Sequence, residues 1–187
     1  MSTKNTNSHL RVRMLCEGAM MVALAQVLSY IKLMELPNGG SLTPAMFPII
    51  LFAVRWGLTP GLMAGFTFGL LQLIFDGAYA WGWQSMLLDY LVAFMALGTA
   101  EFFARPFKNR MVGVAVGTAI AGFLRFMCSF LSGVLVWGNL NEGLSAWTYS
   151  LVYNASYMLP ETLITVVGAV LLIKAAPQIF DRQYTKA

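Results

Sequence analysis

Six apolar runs joined by short loops dominate this chain and leave little choice of fold. Hydrophobic residues make up 58% of its 187 residues and charged residues only 11%, and the mean hydropathy is +0.68. A soluble domain of this size could not bury so much apolar surface, whereas helices of about 20 apolar residues can expose it to lipid. The sequence therefore predicts an all-α, polytopic membrane protein.

The apolar runs predict six transmembrane helices. The second run is the shortest and contains Pro44 and Pro48, so we expect it to begin inside the protein after an irregular segment. A strong turn signal, residues 37–41, precedes it. The predicted helices cover approximately residues 12–32, 43–54, 58–75, 84–103, 112–137 and 148–174.

Loop charge predicts how these helices are oriented. With six spans, nearly all basic residues fall on the side that holds both termini, and the opposite loops carry only Lys32 among basic residues. The positive-inside rule places the basic side in the cytoplasm, so the net charge of +4 requires no nucleic-acid partner. We expect cytoplasmic tails at residues 1–11 and 176–187 and, at residues 12–175, a multi-pass domain in the lipid of the cell membrane.

The residue types that support catalysis or metal binding are scarce. Cys16 and Cys128 lie within apolar runs, and the single histidine, His9, lies in the polar N-terminal segment. The sequence has no Ser/His/Asp or Cys/His constellation, no metal-ligand cluster and no glycine-rich phosphate loop followed by Lys and Ser or Thr. We therefore expect no enzyme activity, no cofactor and no bound metal.

Polar residues inside the apolar runs are the first candidates for ligand binding, because they are costly in lipid. Asp89 lies one or two turns into the fourth predicted helix; it either accepts a ligand amino or cationic group or is an acid favoured near a helix N-terminus. In the sixth helix, Ser150, Asn154, Tyr157 and Glu161 form one polar stripe that must face protein or a cavity. Asn154 offers a donor and an acceptor, which suits the edge of a heteroaromatic ring.

Aromatic residues gather on the predicted outer side. Four of the five tryptophans lie near loops without basic residues, whereas an interfacial belt occupies both membrane faces. This asymmetry favours a site for a small organic cation, because ring faces attract cations. Ser129, Gly133 and Trp137 recur every four residues, so Gly133 either leaves room for a flat ligand against Trp137 or permits close helix packing.

The deepest charges in the predicted bundle are Arg125 and Glu161. They lie at similar depths on consecutive antiparallel helices, which predicts a structural ion pair. The alternative is proton or ion coupling, to which Arg is poorly suited because it does not deprotonate.

Small residues mark one face of the first predicted helix. Ala19 and Ala23 are four residues apart, a spacing that lets another helix approach closely. The face is either a contact for a partner helix or an internal packing seam.

Together these features resemble the thiamine-specific S components (ThiT/YuaJ family) of energy-coupling factor (ECF) transporters. The resemblance covers nearly the whole chain. Its most specific segments are residues 88–94 and 149–157, and residues 37–43 and 55–57 support it. It implies a six-helix membrane protein of a prokaryote that binds thiamine from outside and delivers it with a transmembrane T component and two ATP-binding subunits.

The resemblance also implies roles for individual residues. It places the binding acid on Asp89, followed by Tyr90, and the loop tyrosine before that helix on Tyr79. The stacking tryptophan falls on Trp137, one turn after Gly133. The tyrosine and the asparagine of the sixth helix fall on Tyr149 and Asn154. The two alanines that contact the T component fall on Ala19 and Ala23.

Three positions depart from the pattern of some family members. Ser129 stands where some members have histidine. The region of Gly39 and Gly40 stands where some members have tryptophan, and Asp89 stands where some have glutamate. The contacts to the thiazolium ring are therefore less well defined than those to the pyrimidine. Ser129 is retained as a candidate binding residue.

Two other functions remain open from the sequence. The first is an S component for another vitamin or for a thiamine precursor, such as riboflavin or hydroxymethylpyrimidine. The second is a stand-alone ion-coupled secondary transporter, motivated by Arg125 and Glu161, although the chain shows no inverted-repeat pattern.

Overall fold

Helices account for nearly all regular structure in the computed structural model, which describes residues 3–36, 40–77, 80, 82–137 and 145–183, with the backbone alone for 3–7 and 137. Within these ranges the only sheet is an antiparallel ribbon of β1 (Met34–Glu35) and β2 (Ser41–Leu42). The helices are α1 (Thr3–Ser29), α2 (Met46–Trp56), α3 (Leu58–Asp76), α4 (Gly82–Leu97), α5 (Ala100–Ala104), α6 (Arg110–Ser132) and α7 (Ala146–Ala175), followed by a 3₁₀ turn at Pro177–Phe180.

Four of these helices have the length and apolar character to cross a membrane. They comprise Ser8–Ser29, Leu58–Asp76, Arg110–Val136 and Ala146–Ala175, while α2 and α4 are shorter apolar helices. Large apolar side chains are exposed on all four long helices, as expected for surfaces that face lipid. The prediction of a helical membrane protein is confirmed.

The short helix α2 forms the centre of the bundle. Its residues from Ile49 to Val54 are all buried, and α1, α3 and α7 pack around it. A helix that is apolar all round is expected in such a position. Pro48 is accommodated because it lies in the first turn, where the backbone N–H has no partner within the helix.

The first helix is longer at its N-terminus than the sequence predicts. It begins at Thr3 instead of residue 12 and ends at Ser29 instead of residue 32. Residues 3–11 are polar but contain no glycine or proline, so nothing in them interrupts the helical backbone.

The prediction of one continuous helix over residues 84–103 is wrong. The helix breaks after Leu97, where Thr99 donates a hydrogen bond to the carbonyl of Ala96 at 2.7 Å, and α5 begins at Ala100. In addition, the middle of α4, Met86–Val92, is π-helical. Such wide turns are rare and are frequent at functional sites.

A seam of glycines brings α3 and α4 into backbone contact. Gly61, Gly65 and Gly69 recur every four residues, and a Cβ added at Gly65 would meet the carbonyl of Phe94. The corresponding atom at Gly69 would meet the carbonyl of Tyr90. This small-residue packing fixes the position of α4.

Basic side chains attach the C-terminal segment to one end of the bundle. Buried Glu101 receives Arg110 Nη1 at 2.8 Å and Arg182 Nε at 2.7 Å. Arg55 donates to the carbonyl of Ile179 at 2.9 Å, and Phe180 is buried. These contacts close the end that sequence analysis assigns to the cytoplasm.

Substitution within the glycine seam tests this packing. Gly65→Ala places a methyl against the backbone of α4, and such overpacking costs about 1–3 kcal/mol, or a fall in melting temperature of roughly 5 °C for a chain of this size. The matched control is Gly168→Ala on α7, where the added Cβ comes no nearer than 3.8 Å to another residue. Thermal unfolding in detergent measures both, and equal melting temperatures would contradict the seam.

Candidate ligand-binding site

A cavity of about 120 Å³ lies between β2, α3, α4, α6 and α7. Its wall combines charged, polar and aromatic groups. The charged residues are Asp76, Asp89 and Arg125, and the rings are Tyr90, Phe94, Tyr149, Tyr153 and Tyr157. Such a concave site with a few convergent polar groups is the usual form of a small-molecule site.

The structure brings most of the predicted binding residues together at this cavity. Of the eight, six line it: Asp89, Tyr90, Ser129, Gly133, Tyr149 and Asn154. Tyr79 lies outside the described residues. Trp137 ends the π-helical extension of α6, Gly133–Trp137, and only its backbone is described.

Serine hydroxyls surround the carboxylate of Asp89. Ser85, one turn earlier in α4, donates to Oδ2 at 2.7 Å, and Ser132 of α6 donates to the same oxygen. Ser129, three residues before Ser132 on α6, also lines the cavity. These donors stabilise a charge between two helices without neutralising it, because Asp89 forms no ion pair within the described ranges.

The π-helical turns alter which residues face the cavity. Asp89 lies in the π-helical part of α4, and Gly133 opens the π-helical part of α6. The extra residue in such a turn rotates the side chains that follow it. The predicted common face of Ser129, Gly133 and Trp137 assumed an α-helical period, which the backbone does not keep beyond Ser132.

Gly133 provides close packing as well as a cavity wall. A Cβ at this position would meet the hydroxyl of Ser150 and, at 3.3 Å, the amide nitrogen of Asn154. Of the two roles considered for Gly133, the contact between α6 and α7 is therefore present. Its neighbours are the polar groups of the predicted stripe.

The amide of Asn154 is already partly engaged by the protein. Its nitrogen donates to the carbonyl of Ser150 at 2.9 Å, and its oxygen accepts from the hydroxyl of Tyr157 at 3.1 Å. Ser150 in turn donates to the carbonyl of Phe130 at 2.7 Å. Since an amide oxygen has two lone pairs, Asn154 retains one acceptor site for a ligand.

Three tyrosines of α7 form a ladder along the cavity. Tyr149 and Tyr153 stack with centroids 5.8 Å apart, and Tyr153 meets Tyr157 edge-on at 5.9 Å. The hydroxyl of Tyr153 accepts the backbone N–H of Gly40 at 2.9 Å. Sequence analysis missed Tyr153, although the spacing of four between the three tyrosines was a usable signal.

The predicted ion pair between Arg125 and Glu161 is confirmed. Both side chains are buried and in contact, and Thr43 donates a further hydrogen bond to Glu161 at 3.2 Å. The guanidinium of Arg125 also lies 4.7 Å from the ring centre of Phe94. The pair connects α6 and α7 to the residue that follows β2.

Several residues at or beside the cavity wall carried no signal that sequence analysis used. Ser85 and Ser132 are hydroxyl partners of Asp89, and Gln72 and Asp76 come from α3. Gln72 donates to Gln26 of α1 at 3.0 Å. The contributions of Ser132, Gln72 and Asp76 depend on how different helices pack together, whereas Ser85 lies one turn before Asp89 on α4.

The two alanines predicted to contact a partner lie on an exposed face. Ala19 and Ala23 are both exposed on α1.

In the described part of the chain, no group of three or more Cys, His, Asp or Glu residues could hold a metal ion.

Comparisons with known proteins point to one family. The family described as "Thiamine transporter protein" (Thia_YuaJ) matches residues 15–181. The thiamine transporter ThiT of Bacillus subtilis is 34% identical, covering 88% of this chain and 92% of its own length. ThiT of Lacticaseibacillus paracasei is 32% identical, covering 92% of each.

Solved structures agree with these sequence matches. ThiT from Listeria monocytogenes superposes with a TM-score of 0.80 at 27% identity and covers 91% of this chain and 98% of its own. The S component of a bacterial ECF transporter superposes with a TM-score of 0.64 at 17% identity, covering 92% and 99%. The second likeness shows a shared fold.

Breaking the buried ion pair tests its structural role. Glu161→Gln leaves the Arg125 charge buried without its partner, a change that typically costs about 3–5 kcal/mol. We expect a melting temperature lower by roughly 10 °C, with substantial recovery when Arg125→Gln is added. A single variant as stable as the unsubstituted protein, or a double variant that recovers nothing, would contradict the pairing.

Proposed function

Since this chain belongs to the thiamine transporter (ThiT/YuaJ) family, we propose that it captures thiamine outside the cell for ATP-driven import. It is a multi-pass protein of the plasma membrane, and its relatives are transporters and not enzymes. In the proposed complex it is the substrate-binding S component, working with a transmembrane T component and two ATP-binding subunits.

One observation carries the proposal: the carboxyl group of Asp89 lies on the wall of an aromatic cavity and forms no ion pair with any described residue. Its oxygen contacts within the described ranges are hydroxyls of Ser85 and Ser132. Thiamine combines a permanent positive charge with an aminopyrimidine. A carboxylate beside tyrosine rings is suited to bind both features, since rings attract cations and carboxylates accept hydrogen bonds from amino groups.

The other predicted residues have complementary roles in this proposal. The amino group of the pyrimidine donates to Asp89, and the free acceptor site of Asn154 receives a second donor. Tyr90 and Tyr149 contact the ring faces, with Ser129 and Gly133 beside them. Trp137 and Tyr79 are proposed to complete the aromatic enclosure.

The proposed membrane topology has six spans with both termini in the cytoplasm. The short helix α2 forms the second span, and α4 with α5 forms the fourth. The cluster of Arg55, Arg110 and Arg182 then lies on the cytoplasmic side, in agreement with the positive-inside rule. The cavity opens toward the outside, and residues 1–11 and 176–187 flank the membrane domain at 12–175.

Ion-coupled transport receives no support from the deep charges. Arg125 and Glu161 form an ion pair, and Thr43 adds a hydrogen bond to the carboxylate. A carboxylate held by a guanidinium, which does not deprotonate, favours a structural role over a proton relay. The other alternative is an S component for a related vitamin or for a thiamine precursor. Binding measurements with a small panel of these ligands distinguish it from a thiamine-specific protein.

Replacement of Asp89 tests the proposed anchor. Asp89→Asn removes the charge but keeps the size, so thiamine should bind at least tenfold more weakly to the purified protein, because hydrogen bonds to charged groups are about twice as strong as neutral ones. Quenching of tryptophan fluorescence or calorimetry measures the dissociation constant. Asp89→Glu restores the charge and is expected to recover part of the affinity.

The control for this experiment is Asp181→Asn, which makes the same substitution in the C-terminal segment at the other end of the bundle. Unchanged thiamine affinity in Asp89→Asn would rule out the anchor. If riboflavin or hydroxymethylpyrimidine binds tightly and thiamine binding is negligible, the ligand that binds would be the substrate instead of thiamine.

The proposed partner contact is tested by enlarging the alanines of α1. Ala19→Leu with Ala23→Leu should abolish ATP-dependent uptake in cells that contain the T component and ATP-binding subunits, while thiamine binding by the purified protein is retained. Ala119→Leu, on the exposed face of α6, is the matched control. Normal uptake by the double variant would place the contact elsewhere.

A further inference from the structure

A second cavity, of about 720 Å³, lies at the end of the bundle that holds Glu101. Its wall is formed by the first part of α1, the junction between α2 and α3, and α5 with the residue that follows it. Of the tripeptide Arg55-Trp56-Gly57, which supports the family resemblance, Trp56 and Gly57 belong to this wall. The proposed capture of thiamine gives this cavity no role.

Two arginines at this cavity have no counter-ion. Arg11 of α1 and Arg105, directly after α5, both line it and both are exposed. Neither forms an ion pair with any residue that the structure describes. The carboxylate in the same wall, Glu101, is held by Arg110 and Arg182. The charge that remains available at the cavity is therefore positive.

The start of α3 adds backbone donors to the same wall. Gly57, at φ 92°, turns the chain from α2 directly into α3. Leu58 and Thr59, the first two residues of this helix, line the cavity, and their backbone N–H groups have no acceptor within the helix. The N-cap residue, Gly57, supplies no side-chain hydrogen bond. An uncapped helix N-terminus favours a bound anion.

A buried indole gives independent evidence for an acceptor at this cavity. Trp56 is only 4% exposed, and its Nε1–H has no hydrogen-bond partner within the described ranges. A buried donor without an acceptor is unfavourable. Because Trp56 forms part of the wall, an anionic oxygen bound in the cavity would supply the acceptor.

We propose that this cavity binds the phosphate headgroup of an anionic phospholipid from the leaflet at this end of the bundle. Basic pockets between transmembrane helices are suited to such headgroups. Leu10, Met14 and Phe102 share the wall with the arginines. Phe102 is exposed, as are Val12 and Leu15 in the same part of α1, so acyl chains find an apolar surface beside the headgroup. A soluble phosphate would leave that surface unused.

Titration of the purified full-length protein with lipid tests this site. Phosphatidylglycerol or phosphatidylcholine is added to the protein in a neutral detergent, and native mass spectrometry measures the bound fraction and the apparent dissociation constant. Phosphatidylglycerol should bind more tightly than phosphatidylcholine. In the double variant Arg11→Gln with Arg105→Gln, phosphatidylglycerol should bind about thirtyfold more weakly, since each basic residue near an anionic lipid contributes about a factor of five.

A third substitution tests the indole donor. Trp56→Phe removes the Nε1–H but keeps an aromatic ring in the buried position. Phosphatidylglycerol should bind to this variant about fivefold more weakly, as expected for the loss of one hydrogen bond to a charged acceptor.

The matched control is Arg13→Gln with Lys108→Gln. This variant loses the same amount of charge, but its two residues are exposed and do not line the cavity. Its affinity for phosphatidylglycerol should equal that of the unsubstituted protein. Both double variants should bind thiamine like the unsubstituted protein, which shows that they are folded.

Four results would overturn the assignment. Equal affinity of the unsubstituted protein for the two lipids, or equal losses in the two double variants, would show that no specific headgroup site exists. Displacement of phosphatidylglycerol by millimolar inorganic phosphate would identify a site for a soluble anion. Unchanged lipid binding in Arg11→Gln with Arg105→Gln, together with loss of ATP-dependent uptake, would assign the cavity to contact with the T component.

Discussion

A charge inside a membrane bundle must be stabilised by the protein itself, and this constraint governs both ends of the molecule. At one end, Glu101 is held by Arg110 and Arg182. Near the cavity, Glu161 is held by Arg125 and Thr43. Asp89 differs from these two acids, because hydroxyl groups donate hydrogen bonds to its carboxylate and no described residue forms an ion pair with it. The carboxylate of Asp89 can therefore attract a cationic ligand.

The rest of the fold positions this carboxylate. The buried helix α2 gives the surrounding helices a common core, and the glycines of α3 bring α4 to within backbone contact. α4 then departs from α-helical geometry over Met86–Val92, so that Asp89 turns toward Ser132 of α6. The ladder of tyrosines on α7 faces the same space and reaches Gly40 beside β2. The packing of the helices therefore determines which polar and aromatic side chains line the cavity.

Much of this arrangement could be predicted from residue types and periodicity, but not all of it. Matching depth along two helices was sufficient to pair Arg125 with Glu161. Residue types and spacing singled out four residues that line the cavity, Asp89, Ser129, Gly133 and Asn154, and the resemblance to a family added Tyr90 and Tyr149. The π-helical turns were not predictable, because pattern analysis assumes a constant helical period. Ser132 and Asp76 were missed for a different reason: each becomes significant only through a neighbour from another helix, which a single sequence does not reveal. Ser85 lies four residues before Asp89 on the same helix, a spacing that was a usable signal.

The account makes one claim on which the others depend, namely that Asp89 is the anchor for the aminopyrimidine of a cationic vitamin. A high-resolution structure of the protein with bound thiamine tests it most directly. The account predicts thiamine in the cavity between α4, α6 and α7, with its amino nitrogen about 3 Å from a carboxylate oxygen of Asp89. Thiamine bound away from this cavity, or in it with Asp89 contacting only the serine hydroxyls, would contradict the claim.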